Sequence, residues 1–260
     1  MPSIQKDMTE LRRQLQQRYR KEYFLLAMAV SALNLIPPLF LVTPVLSALA
    51  FGHYSLAMLQ TQRIRITADG KTLYVRDSRG RDTSGLFALD LATGKPMPIG
   101  GSARADVAGV IAHPTTGEIE AYGVNYLKKE WVPVAASVKD DIAFLNREAK
   151  GEWSVVSQTR DNRKWTLQVD RVSEPVTFYL YDRDAKQLSR LFTARPELEG
   201  RALAPMGTFE IRSRDGLVLP SYLSLPPGAD RNGDGKPEQA LPMVLYVHGG
   251  PWARDDYGYN

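Results

Sequence analysis

The hydrophobic rhythm of the chain changes once, near Gln60. Beyond Arg63 the apolar residues fall in short alternating runs broken by turn residues, the period-two signature of antiparallel strands. Ile64-Arg65-Ile66 leads through Ala68-Asp69-Gly70-Lys71 to Leu73-Tyr74-Val75, and residues 86–89 lead through 90–94 to 95–99. In the same way 107–112 turn at 113–117 into 119–124, 153–158 turn at Asp161-Asn162 into 165–169, and 176–181 turn at 182–184 into 187–192. One stretch departs from this pattern. Val138, Ile142 and Leu145 share a helical face, and Asp140 and Asp141 stand in its first turn, where carboxylates complement the helix dipole; the spacing predicts a helix over 138–147. His113 precedes Pro114 in a turn and has no acid or second histidine at ligand spacing, so it reads as a solvated turn residue, and the runs 128–130 and 160–164 read as solvated strand ends and turns.

The strands also repeat. Leu86-Phe87-Ala88-Leu89-Asp90 aligns with Phe178-Tyr179-Leu180-Tyr181-Asp182, each an apolar strand ending in aspartate at a turn, 92 residues apart. That offset is close to two units of roughly 40–50 residues, the period of a propeller blade. Residues 61–200 hold two or three such units against the roughly 4–8 of a closed propeller, so a partial β-propeller of antiparallel blades is expected.

Before Gln60 the apolar residues form one block. Residues 23–60 contain no Asp, Glu, Lys or Arg, and the segment ahead of them carries Lys6, Arg12, Arg13, Arg18, Arg20 and Lys21. Residues 1–22, with Met8, Leu11, Leu15 and Tyr19 at helical spacing, read as a basic amphipathic helix. Residues 23–60 are long enough to span a bilayer, with a break at Pro37-Pro38, and the basic flank would hold the N-terminus inside. A single crossing places everything after residue 60 in the periplasm or outside the cell. A signal peptide cleaved after Ala48-Leu49-Ala50, giving an exported protein, is the second reading, and a buried helical hairpin the third.

Composition removes several alternatives. Lys+Arg 33 against Asp+Glu 29 leaves a net charge of +4 with no basic stripe, which argues against a nucleic-acid partner. The absence of cysteine excludes disulfides, thiolate metal sites and a cysteine nucleophile.

The candidate chemistry lies in residues 201–260. A hairpin over 209–219 turns at Asp215-Gly216 and opens a new domain. Asp230, Asn232 and Asp234, with Gly235 sixth, match the first half of a calcium loop. The twelfth position is Leu241 and Pro237 interrupts the loop, so a polar hairpin loop is the simpler reading and no cofactor is expected. Residues 242–247, Pro-Met-Val-Leu-Tyr-Val, form an apolar run of the kind buried on both faces of a parallel sheet. They lead into His248-Gly249-Gly250-Pro251-Trp252-Ala253-Arg254-Asp255. Two glycines after such a strand let the backbone turn sharply and aim an N–H at a developing oxyanion.

This strand and His-Gly-Gly-Pro-Trp-Ala-Arg-Asp loop resemble the start of the catalytic domain of the prolyl oligopeptidase family of serine peptidases, especially its acylaminoacyl-peptidase and dipeptidyl-peptidase-like bacterial members. The resemblance extends over residues 64–260, and Ser78-Arg79-Gly80-Arg81-Asp82 and Arg212-Ser213-Arg214-Asp215-Gly216 share in it. It implies propeller blades followed by the first strands of an α/β-hydrolase domain. It also implies a Gly250 amide on the oxyanion, a loop shaped by His248 and Gly249 and buttressed by Trp252 and Arg254, and short peptides as substrates. No Gly-x-Ser-x-Gly elbow occurs in the 260 residues, so no catalytic nucleophile, acid or histidine is assigned. A truncation, a gene fusion or an assembly artefact each accounts for that pattern. The rival expectation is a non-enzymatic, membrane-anchored β-rich interaction module.

Overall fold

In a computed structural model, residues 61–249 and 253–259 are described. The chain divides between Arg63 and Ile64, and nearly all of the described structure belongs to the second unit, Ile64–Asn260. The expected amphipathic helix of 1–22 and membrane segment of 23–60 lie outside the described residues. Among the described residues no helix is long and apolar enough to cross a membrane.

Three antiparallel sheets follow one another. Strands β1 (Thr61–Ile66), β2 (Thr72–Asp77), β3 (Gly85–Asp90) and β4 (Pro96–Gly100) form a four-stranded meander. Strands β5 (Val107–Ala112), β6 (Ile119–Asn125) and β7 (Lys129–Pro133) form a three-stranded sheet. A 3-10 turn, Ala136–Val138, then leads into the helix α1 (Lys139–Glu148), which fulfils the expected 138–147 element. Strands β8 (Glu152–Gln158), β9 (Lys164–Asp170), β10 (Thr177–Asp182) and β11 (Gln187–Thr193) make a second four-stranded meander. This succession fits a partial β-propeller. Strand β7 extends the expectation, because the run 128–130 reads as a solvated strand end and Lys129 opens a full strand paired from Lys129↔Asn125 to Pro133↔Ala121.

The 92-residue repeat reaches the turns. Thr67 and Thr159 each donate from Oγ1 to the aspartate two residues on, at 2.6 Å to Asp69 and 2.6 Å to Asp161. Each Oγ1 also accepts the backbone N–H five residues on, from Thr72 and from Lys164. Gly70 and Asn162 occupy the left-handed region at the same place, with φ of 72° and 58°. At the far end of the next hairpin, Asp90 Oδ1 accepts N–H from Ala92 and Thr93 as Asp182 Oδ1 accepts from Asp184 and Ala185. Short polar side chains that satisfy their own turn N–H groups fix where each hairpin reverses. In the middle sheet His113 takes that part, its Nδ1 accepting from Thr115 and Thr116 N–H. It is thus a turn cap, with Nε2 carrying the proton when the ring is neutral.

The sheets pack through two apolar clusters. Tyr74, Leu86, Val107, Ile119 and Tyr122 join the first sheet to the middle one. Ile111, Ile142, Leu145, Trp165, Leu167 and Tyr181 join the middle sheet, α1 and the third sheet. Alternate residues of β9, Trp165, Leu167 and Val169, all point into this second cluster. Full burial of each large apolar side chain is worth roughly 1.5–3 kcal/mol.

A polar string crosses the same cluster. Asp141 of α1 is 1% exposed and accepts from Tyr181 Oη at 2.7 Å and Arg183 Nε at 2.9 Å, with Lys186 Nζ also upon it. Arg183 stacks on Trp165, 4.7 Å from its centroid, and donates to the Asn162 and Ser137 carbonyls. Asn162, placed among the solvated residues by its sequence, is 4% exposed and donates to both carboxylate oxygens of Glu120 on β6. Burial pushes the Asp141 carboxyl up, but the hydrogen bonds from Lys186, Tyr181 and Arg183 outweigh it and hold the group below its ordinary value near 3.8. The group therefore binds protons less readily when folded, so its stabilisation is present above the unfolded value and lost as pH falls through the lowered one. Asp141→Asn is expected to cost about 3–5 kcal/mol in urea denaturation at pH 7, because it leaves Arg183 buried without its charge partner. The gap to wild type should narrow below pH ~3.8; a gap that stays constant from pH 7 to pH 3 would contradict this account of Asp141.

Candidate functional site

After a 3-10 turn at Pro196–Leu198, β12 (Met206–Arg212) and β13 (Val218–Ser224) pair in register from Met206↔Ser224 to Arg212↔Val218. The turn falls where expected, with Gly216 at φ 88° and Ser213 N–H on the Leu217 carbonyl. This hairpin pairs with no other described strand, and Phe209, Ile211 and Leu219 remain exposed.

The half calcium loop is satisfied from within. Asp230 accepts from Asp234 N–H at 3.0 Å and Gly235 N–H at 2.9 Å, Asn232 Oδ1 accepts from Asp234 N–H, and Asp234 accepts from Lys236 N–H. The oxygens that would face a cation are engaged with backbone donors. No group of three His, Cys, Asp or Glu side chains placed to hold a metal ion occurs among the described residues. Calorimetric titration with calcium chloride is expected to show no saturable heat; saturable heat that disappears in Asp230→Ala would establish a calcium site.

Residues 242–247 correct an expectation. They form no strand, and Met243, Val244 and Val247 are 79%, 90% and 70% exposed. An apolar run becomes a doubly buried strand only where hydrogen-bonding neighbours and covering layers meet it, and the described residues bring none to this segment. His248 follows, half-buried, with Nδ1 3.4 Å from the Gly249 carbonyl. A Cβ added to Gly249 would meet no atom within 4 Å. Gly250 and Trp252 lie outside the described residues.

The described residues resume at Ala253. Arg254 donates from Nη1 to the Asn125 carbonyl at 2.8 Å, and from Nη2 to the Tyr126 carbonyl at 2.6 Å and Tyr222 Oη at 2.8 Å. Asn125 Nδ2 donates to Asp256 at 2.7 Å, and Lys128 Nζ lies 4.3 Å from the Tyr257 ring centroid. Tyr259 N–H donates to Asp170 Oδ2 at 2.8 Å, while Asp170 Oδ1 accepts from Val172 N–H. Val172 sits at φ 64°, a costly conformation for a β-branched residue, so Asp170 joins a strained turn to the C-terminal segment.

Beneath this segment Glu152 accepts from Lys129 N–H at 2.7 Å. Burial pushes its carboxyl above the ordinary range, and the charges of Asp170 and Asp256 push the same way. Tyr126 Oη donates to Glu210 of β12 at 3.0 Å, and Arg104 both pairs with Glu210 and stacks 3.8 Å over the Tyr126 ring. Among the described residues, Arg254 is thus the expected site residue that the structure ties to the blades. Asn125, Tyr126 and Asp170 carry no functional mark in the sequence, and Lys128 reads there only as part of the solvated run 128–130. Residues 125–128 form the connection at the end of β6 and Asp170 ends β9, and in the sequence both look like any other polar turn.

No protein-family model matches the chain. It is 48% identical over 203 residues to dipeptidyl aminopeptidase BIII of Pseudoxanthomonas mexicana, an alignment covering 78% of this chain and 30% of the relative. The chain belongs to the prolyl oligopeptidase family, with its dipeptidyl-peptidase-like members. Dipeptidyl peptidase family member 6 of Caenorhabditis elegans is 32% identical over 172 residues, covering 60% of this chain and 23% of the relative. A solved prolyl oligopeptidase B from Galerina marginata aligns at a TM-score of 0.42 and 17% identity, covering 62% of this chain and 23% of that one. The chain therefore spans less than a third of the length of the relatives it matches.

Proposed function

We propose that these residues are the blade and oxyanion-loop portion of a serine peptidase that hydrolyses peptide bonds in short peptides. The 48% identity to a dipeptidyl aminopeptidase carries this reading. In such an enzyme a serine attacks the peptide carbonyl and passes its proton to a histidine. The carbonyl oxygen takes up the negative charge of the tetrahedral intermediate, and the Gly250 N–H is one donor to that charge. Charge develops on this oxygen mainly in the transition state, so a donor held in place there lowers the barrier more than it tightens substrate binding. The blades restrict entry to short chains.

The 260 residues contain no Gly-x-Ser-x-Gly elbow. The chain alone is expected to give no turnover of chromogenic dipeptide or acyl-amino-acid substrates, whereas a product of the same reading frame that includes such an elbow is expected to cleave them. Turnover by the 260 residues that persists through purification, or none from the elbow-bearing protein, would refute this assignment. The latter outcome would favour the non-enzymatic interaction module.

Residues 23–60 are proposed to attach the protein to a membrane with the blades in the periplasm or outside the cell. N-terminal sequencing of the mature protein should return Met1 or Pro2; a start at Phe51 would show export with cleavage instead.

A further inference from the structure

Resting on the peptidase reading, we propose that the connection from β6 to β7, residues 125–128, is the seat of the oxyanion loop, and that Arg254 is the positioning residue through which the middle blade sets that loop. Four observations converge on this short connection. Its first two carbonyls, of Asn125 and Tyr126, receive both terminal nitrogens of Arg254 at 2.8 and 2.6 Å. Its Asn125 side chain holds Asp256 at 2.7 Å, and its Lys128 lies over Tyr257. Tyr126 reaches the other way, to Glu210 at 3.0 Å, so the same turn grips the hairpin that opens the hydrolase portion. Tyr222 of that hairpin shares Arg254, at 2.8 Å.

The geometry suits arginine and no other side chain. One planar guanidinium donates to two successive backbone carbonyls and a phenol at once, whereas a lysine ammonium has a single nitrogen on a flexible stem. Backbone carbonyls are acceptors whose positions are set by the β6–β7 pairing, which runs to Asn125↔Lys129. The blade thus fixes Arg254, and Arg254 fixes a point four residues beyond Gly250. On the other side, residues 242–247 form no strand and are exposed, so the described contacts that hold this region come from the blades and from Tyr222 of the hairpin. A loop that must place an N–H on an oxyanion tolerates little displacement, since misplacement by 1 Å costs on the order of 100-fold in rate.

The test is steady-state kinetics on the elbow-bearing protein, paired with hydrogen exchange of residues 253–259. Arg254→Ala is expected to lower kcat by about 100-fold, the scale of a lost oxyanion donor, while KM changes by less than about 3-fold, because the interaction matters in the transition state. Arg254→Lys should recover part of kcat, and Asn125→Ala, which removes one partner of Asp256 and leaves its pairing with Arg254, should show the same split in milder form. Amide protection over 253–259 should fall in Arg254→Ala. A wild-type kcat in Arg254→Ala, or a rise in KM with kcat unchanged, overturns the seat while leaving the peptidase reading intact. An inactive wild-type protein instead overturns the peptidase reading, and the exchange arm then decides whether Arg254 holds the segment: unchanged protection rejects the seat outright. If Arg254→Ala does not fold, Asn125→Ala carries the same kinetic comparison.

Discussion

A carboxylate at 1% exposure has to be paid for by its neighbours, and Asp141 is the point on which the second half of the blade array turns. It sits in the first turn of α1, and every partner it has comes from β10 or the turn after it: Tyr181, Arg183 and Lys186. The helix is therefore bound to the third sheet by charge as well as by Ile142 and Leu145. Arg183 extends the connection, because its other nitrogens reach the carbonyls of Asn162 and Ser137. Asn162 closes it onto Glu120 of the middle sheet. One polar string thus runs from the turn after β10 to β6 through an otherwise apolar layer. Apolar packing alone permits small slips between sheets, whereas a buried string that must satisfy each member admits one arrangement.

Much of this fold was legible because hairpins are local. The strand pairs of the first and third sheets, the helix and the Asp215-Gly216 turn all follow from period-two runs and turn residues within a few positions of one another. The repeat was legible at Asp90 and Asp182 and proves deeper, since Thr67 and Thr159, Asp69 and Asp161, and Gly70 and Asn162 perform the same tasks at the same offset. Asn162 shows where local reading stops. Among Arg160, Asp161, Arg163 and Lys164 it has the look of a solvated turn, yet its burial is decided by Glu120, 42 residues earlier. Strand β7 escaped for a related reason. Lys128, Lys129 and Glu130 mask the Trp131-Val132 pair, and Lys129 is drawn in by Glu152 and Ser154 across the sheet boundary.

Residues 242–247 err in the opposite direction. Their composition is that of a central strand, but a central strand is a property of its neighbours: backbone donors and acceptors on both edges, side-chain layers on both faces. The β12–β13 hairpin, paired only with itself among the described strands, lacks the same cover on Phe209, Ile211 and Leu219. Apolar character specifies that a segment will be buried once a site exists for it. It does not create the site.

That contrast bears on how the loop is built. The usual expectation is that a strand delivers its following turn, so that His248-Gly249-Gly250 would inherit order from 242–247. The described contacts run the other way, from residues 253–259 back to Asn125, Tyr126, Lys128 and Asp170. Backbone carbonyls at the end of a paired strand and a carboxylate that already restrains Val172 are poorly mobile acceptors, better suited to fixing a loop than surface side chains would be. The strain at Val172 is then intelligible as part of the seat: Asp170 can hold Tyr259 with one oxygen because the other is committed to the turn beside it. The blade array consequently does more than pack against itself. It supplies the rigid surface against which the segment after the glycines is set.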